Sequence, residues 1–365
     1  MGKARSAPDL WILITTLLIL TIGVIMVYSA SAVLAFHEFG DWYYYLKRQL
    51  IFAVLGVVAM FVTMNMDYWI WKKYAKIILL ICFVFLVIVL IPGVGVVRGG
   101  ARSWIGIGSF GIQPSEFAKM GIIMFLAKWL SEEQAKITEF TKGLLPPLGL
   151  VGLAFGLIML QPDLGTGTVL VGTAVLMIFI VGARLRHLSY FAMAGVVGFI
   201  GLIIAAPYRM DRIMAFMDPW KYPKDEGYQI IQSLLAIGPG GLVGLGLGMS
   251  RQKYSYLPEP QTDFIFAIIS EELGFIGGSF VLLLFTILVW RGMRVAITAP
   301  DTFGSLLAVG IVGMIAVQVI INIGVVIGMF PVTGITLPLV SAGGSSLTLM
   351  LTALGILLNI SRYSR

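Results

Sequence analysis

Cysteine is almost absent from this 365-residue chain: Cys82 is the only one. No intrachain disulfide can form, and thiolate zinc sites are excluded. Histidine is nearly as scarce. His37 and His187 fall in separate loops, so a histidine-based metal site is not expected. Charged residues make up only 12% of the chain against 59% hydrophobic ones. A soluble domain is nearer a quarter charged, and a mean hydropathy of +0.97 implies more apolar surface than a water-facing fold can hide. The net charge of +7 contains no basic run interleaved with aromatics, which argues against nucleic acid as a partner. In a membrane protein such charge gathers in cytoplasmic loops. The first apolar run, 10–34, is longer than a signal-peptide core and lacks a clear cleavage site, so it reads as a retained span.

Spanning-length apolar runs recur at 10–34, 48–65, 77–92, 114–130, 144–160, 166–182, 188–207, 263–290, 303–329 and 344–361. They lack strand alternation, so helices are expected. The sequence therefore predicts an all-α polytopic membrane protein, one domain over 1–365, with ten transmembrane helices. Lys72, Lys73, Lys76, Lys136, Lys142, Arg184, Arg186, Arg291, Arg294 and Arg362 fall on one side if both termini are cytoplasmic. The apolar but Gly-rich stretch 233–249, with Pro239 inside, would invert that bias if it crossed. It is read as interfacial or re-entrant. This leaves 208–262 as one long external loop between helices 7 and 8, of a size that is usually functional.

Four polar clusters fall toward the outer face, where each ionisable group needs a reason. Stretch 257–266 (LPEPQTDFIF) carries Glu259 and Asp263. Asp263 either caps the eighth helix with Thr262 or acts as a general base at the mouth of a cavity. Glu271, about 80° round the helix and ~12 Å deeper, and Glu272, on the opposite face, read as buried partners. Stretch 98–108 (RGGARSWIGIG) leads to QPSEFAK, where Glu116 and Lys119 are spaced to pair on one helix face. Arg98 and Arg102 suit either phosphate oxygens or ordinary interfacial placement. In QPDLGTG, Asp163 caps the sixth helix or contributes oxygen to a divalent cation. In PVTGITLPLVSAGGSS, Ser341, Gly343, Gly344 and Ser345 open the tenth helix, where free backbone N–H groups can meet an anion.

Taken together and in order, GARSWIGIGSFGIQPSEF, QPDLGTGTV, GPGGLVGLGLG, LPEPQTDFIFAIISEELGFIG and PVTGITLPLVSAGGSSL resemble the SEDS family of shape, elongation, division and sporulation proteins. RQKYSYLPEPQTDFIF and LLNISRYSR are most similar to its sporulation members, which points to spore cortex synthesis. Ala342 departs from the pattern, where an aromatic is expected. The resemblance implies a ten-helix peptidoglycan glycosyltransferase that polymerises lipid II on the outer face of the cytoplasmic membrane. It implies a class B penicillin-binding protein as partner, a divalent cation (Mg or Mn) without an organic cofactor, and Asp263 as the essential aspartate. Arg98, Arg102, Lys119, Arg209 and Arg212 are then candidates to meet the leaving pyrophosphate. Two other readings stay open, a lipid II flippase and a scaffold for the transpeptidase. No acidic cluster matches on the inner side, which favours the enzyme.

Overall fold

The computed structural model describes residues 6–98, 101–107, 110–204, 207–224, 227–254 and 256–364. Each of the ten expected runs is occupied by a helix: α1 (Leu10–Phe39), α2 (Tyr44–Asn65), α3 (Trp69–Ile88), α4 (Pro114–Glu132), α5 (Leu145–Met159), α6 (Leu164–Ile180), α7 (Leu185–Ile204), α10 (Ile265–Thr298), α11 (Thr302–Val326) and α12 (Gly344–Ser361). The remaining two, α8 (Pro207–Met217) and α9 (Tyr228–Gly240), lie within 208–262 or at its edge. The starts follow local chemistry. Asp9, Asp163 and Asp301 accept backbone N–H bonds as N-caps of α1, α6 and α11. Proline opens α4 and α5, where its missing N–H leaves no bond unmade.

Among the described residues, α1, α2, the 140–159 segment that includes α5, α10, α11 and α12 are long and apolar enough to cross a membrane. With these the chain is a multi-pass membrane protein. Other helices fall short for visible reasons: Lys72, Lys73 and Lys76 crowd α3, Glu116, Lys119, Lys128 and Glu132 interrupt α4, and α6 has 17 residues. α11 is buried on nearly every face, packed by α4, α6, α10 and α12, as a helix apolar all round must be. α2 and α12 approach closely through small residues. A side chain at Gly355 would strike Thr63 and Met60, and one at Gly56 would strike Leu351.

One feature was not expected. β1 (Gly95–Arg98), β2 (Ala101–Ile107) and β3 (Phe110–Ile112) form a three-stranded antiparallel sheet in the order β1-β2-β3. Gly95 pairs with Ile105, which in turn faces Ile112. Its β-branched and aromatic residues suit a pleated surface, but glycines interrupt the alternation that would mark strands in the sequence.

Stretch 233–249 does not form a single spanning helix. α9 has 13 residues, too few to span. The chain beyond it is instead spliced into α10. Two bonds of a regular helix, Phe275 N–H to Glu271 C=O and Ile276 N–H to Glu272 C=O, are opened. Phe275 and Ile276 donate instead to Gly241 O (2.9 Å) and Leu242 O (3.0 Å), and Glu271 and Glu272 carbonyls accept from Leu245 (2.9 Å) and Gly246 (3.0 Å). These four helix groups thus keep partners, as burial demands. Gly274 makes the break, at φ 67° and ψ −165°, a region closed to other residues. Gly244, at φ 83°, lies so near the Glu272 carbonyl that no Cβ fits.

The ends of the bundle differ in charge. Asp9 pairs with Arg291, Ser6 bonds the Arg362 carbonyl, and Lys72 meets Glu132, so both termini share one basic end. The starts of α4, α6, α10 and α12 gather at the other.

Candidate active site

Four chain segments converge where α4, α6, α10 and α12 begin. Asp263 lies two residues before α10, whose N-cap is Phe264 without a side-chain cap bond. The capping role open to Asp263 and Thr262 is therefore not taken by either. Thr262 Oγ1 bonds Glu259 instead, through the carbonyl (3.1 Å) and Oε2 (3.0 Å). Glu259 itself sits at φ 46°, a strained conformation for a non-glycine residue. The Asp263 carboxylate has no hydrogen-bond or ion-pair partner among the described residues. Its Oδ2 lies against Gly334. Burial pushes its pKa up to about 7, and the charges of Glu259 and Asp163 add to the rise.

The backbone around Asp263 is held from two sides. Asn322 Nδ2 on α11 donates to the Asp263 carbonyl (2.8 Å) and to the Ile335 carbonyl (2.6 Å). Ser341 Oγ donates to Thr262 O (2.6 Å) and accepts from Leu337 N–H (2.8 Å), while Ala342 N–H donates to Gln261 O (2.8 Å). The extended strap 333–337 runs between the two aspartate regions, with Thr333 and Ile335 packed on Gly165 of α6 and Gly334 beside Asp263.

Asp163 does cap α6, accepting from Thr166 N–H at 3.0 Å. Its second oxygen accepts from Gln113 Nε2 (3.0 Å) and Ser115 Oγ (3.3 Å) at the start of α4. Capping thus fixes one oxygen and the other ties α4 to α6. Glu116 and Lys119 form the expected pair at 2.8 Å, almost wholly buried. Ser346 donates to Glu116 (2.9 Å), and Lys119 donates to Gln318 Oε1 (3.1 Å), whose Nε2 donates to the Thr336 carbonyl (3.0 Å). Ser345 Oγ accepts from Gln113 N–H at 3.4 Å. Gly343 is the N-cap of α12, and Gly344 packs on the Phe52 ring so closely that no side chain fits.

The basic candidates are scattered. Arg102 lies half-buried on β2 with its stem against Gly95. Arg212 sits on α8, which packs chiefly on α7 and the turn at Pro219–Lys221. The side chains of Arg98 and Arg209 lie outside the described residues. Glu271 and Glu272 are buried partners, as expected. Ser250 Oγ and Arg251 N–H bond Glu271, Ser29 bonds Glu272 at 2.7 Å, and Lys253 stands 3.6 Å from Glu272. Gln318 and Asn322 were missed. The available signal was two amides four residues apart in an otherwise apolar helix, which need partners there.

The fold and site define a class: a polytopic membrane protein with a carboxylate, unpaired among the described residues, at the mouth of its helix bundle. A family model described as "Cell cycle protein" (FtsW/RodA/SpoVE) matches residues 9–365. The chain is 62% identical to stage V sporulation protein E of Bacillus subtilis (strain 168) over 365 residues, the whole of both chains. It is 44% identical to a probable peptidoglycan glycosyltransferase FtsW of Geobacter metallireducens, covering 98% of this chain and 96% of that one. A solved chain described under "structural coordination of polymerization and crosslinking by a peptidoglycan synthase complex" superposes with a TM-score of 0.81 at 30% identity, covering 98% of this chain and 99% of that one. The chain belongs to the SEDS family of FtsW, RodA and SpoVE proteins.

Proposed function

We propose that this chain is a peptidoglycan glycosyltransferase that polymerises lipid II at the outer face of the cytoplasmic membrane, with Asp263 as general base. The observation that carries the base assignment is a carboxylate without a partner, raised to about 7 among buried groups and beside two further acids. A base works best when its pKa lies near the working pH. Asp263 takes the proton of the acceptor sugar hydroxyl as that oxygen attacks the anomeric carbon of the donor. The bond to the lipid pyrophosphate breaks, and a single displacement inverts the anomeric centre. Kinship to stage V sporulation protein E supports a place in spore cortex synthesis.

The departing pyrophosphate needs positive charge. Lys119 is already engaged with Glu116 and Gln318, so it serves as a buried anchor. Arg102, half-buried on β2, is the better source, and the N–H groups opening α12 at Gly344 and Ser345 add donors. Asp163 already accepts three bonds through both oxygens, so a Mg or Mn ion would be held here through the phosphates of the substrate. No three acidic or histidine side chains among the described residues close into a ready cage. Magnesium, however, is commonly bound by one or two carboxylates with substrate phosphates completing its shell, and it would neutralise the leaving group. The basic end carrying both termini faces the cytoplasm by charge bias, which puts the site outside. A class B penicillin-binding protein is the proposed partner, crosslinking the strands made here.

The test is polymer formation by the purified chain with its partner, labelled lipid II and a divalent cation. Asp263→Ala is expected to abolish polymer while leaving the protein folded. Polymer made at the normal rate by that variant would sink the base assignment. Lipid movement across vesicles with no polymer under any condition would favour the flippase.

A further inference from the structure

The polar contacts of α11 that the sequence did not single out share one face. Gln318 and Asn322 are one turn apart, so their side chains lie one above the other. Both are fully buried. Each reaches the same strap: Gln318 donates to the Thr336 carbonyl (3.0 Å) and Asn322 to the Ile335 carbonyl (2.6 Å). Each also holds a second group on a different element. Gln318 accepts from Lys119 (3.1 Å), and Asn322 donates to the Asp263 carbonyl (2.8 Å). Both Nδ2 hydrogens of Asn322 are therefore engaged by backbone acceptors from two chain segments that have no regular secondary structure of their own. Among the described residues, Asn322 Oδ1 and the neighbouring strap's Thr333 Oγ1 have no partner. Buried amides in an apolar helix are retained at a cost, and this arrangement uses them to tie both the Asp263 segment and the strap to α11.

We propose that Asn322, seconded by Gln318, is a positioning residue of the polymerisation site: it fixes the Asp263 backbone against strap 333–337, so that the carboxylate stays beside Gly334. This rests on the reading of Asp263 as base. Asp263 is faced by Glu259 from its own segment and by Asp163 from the start of α6. α11 and the strap present neutral groups. Loosening the Asn322 clamp lets the carboxylate swing toward water, which changes both its distance from the acceptor hydroxyl and its basicity. A displacement on the order of 1 Å at a reacting group costs roughly 100-fold in rate.

The experiment compares full-length Asn322→Leu, which keeps volume and removes both donors, with wild type and with Asp263→Asn, using labelled lipid II across a pH series. The expected result for Asn322→Leu is a turnover roughly 10- to 100-fold lower, an unchanged KM, and an acid limb of the pH profile moved to lower pH. A purely structural role would lower the yield of folded protein without moving that limb, and that outcome would overturn the proposal. If Asn322→Leu does not fold, Asn322→Ser decides, since it removes the bridging amide with little volume strain. Wild-type turnover and limb in Asn322→Ser would equally overturn the proposal. The two readings fail separately. Asp263→Asn active with a normal pH profile defeats the base assignment, whereas inactive Asp263→Asn beside fully active Asn322 variants defeats the positioning role alone.

Discussion

Replacing Asp263 by asparagine is expected to abolish polymerisation and, above neutral pH, to stabilise the protein. The sign follows from proton binding. The carboxyl titrates at 3.8 when unperturbed and at about 7 in the folded chain. Between those values the folded state binds the proton that the unfolded state has released, so stability falls as pH rises through that window. Above pH 7 the penalty is complete. The shift corresponds to about 4 kcal/mol, and solvent at the part-exposed mouth reduces this to roughly 2–4 kcal/mol. Asparagine keeps the shape and carries no charge, so it removes the penalty. Thermal unfolding in detergent at pH 4 and pH 8 measures it: the two proteins should match at pH 4 and diverge at pH 8, with the variant higher. The same titration governs rate, because only the carboxylate accepts a proton. Wild-type turnover should be about half-maximal at pH 7 and about a tenth of maximal at pH 6. A variant no more stable than wild type at pH 8, together with an acid limb near pH 4, would refute the claim that burial tunes this group.

Three further outcomes are expected. Lys119→Met leaves Glu116 buried and uncompensated and should destabilise by about 3–5 kcal/mol. Adding Glu116→Gln should recover most of that in a thermal unfolding assay, and recovered activity in the double variant would mark the pair as purely structural. Gly355→Leu should destabilise by about 1–3 kcal/mol through overpacking of α12 on α2, read as a lower melting temperature in detergent. Removing divalent cations with a chelator should stop polymer formation, and added Mg or Mn should restore it; an undiminished rate in chelator would argue against a cation on the leaving pyrophosphate.

The helices were legible because apolar runs of spanning length leave the backbone little choice in lipid. Asp163 as a cap and Glu116 with Lys119 as a pair were legible for the same local reason: spacing alone brings the partners together. The 95–112 sheet was not, since its strands are short and broken by glycine. Nor was the clamp on Asp263, because Asn322 lies 59 residues away along the chain and its partners are backbone carbonyls, which leave no mark on side-chain pattern. Whether Asp263 caps α10 could not be read from spacing either. It turned on Phe264 taking the cap position, which depends on tertiary packing.

The splice between 241–246 and α10 limits which insertions and deletions this chain can accept. Its four bridging bonds match two donors and two acceptors on the helix to two of each on the loop, in fixed register. Deleting one residue between Gly241 and Gly246 offsets that register, so at least one amide or carbonyl in the opened turn loses its partner. Among functional variants of this protein the glycine-rich segment should therefore keep its length even where its side chains change.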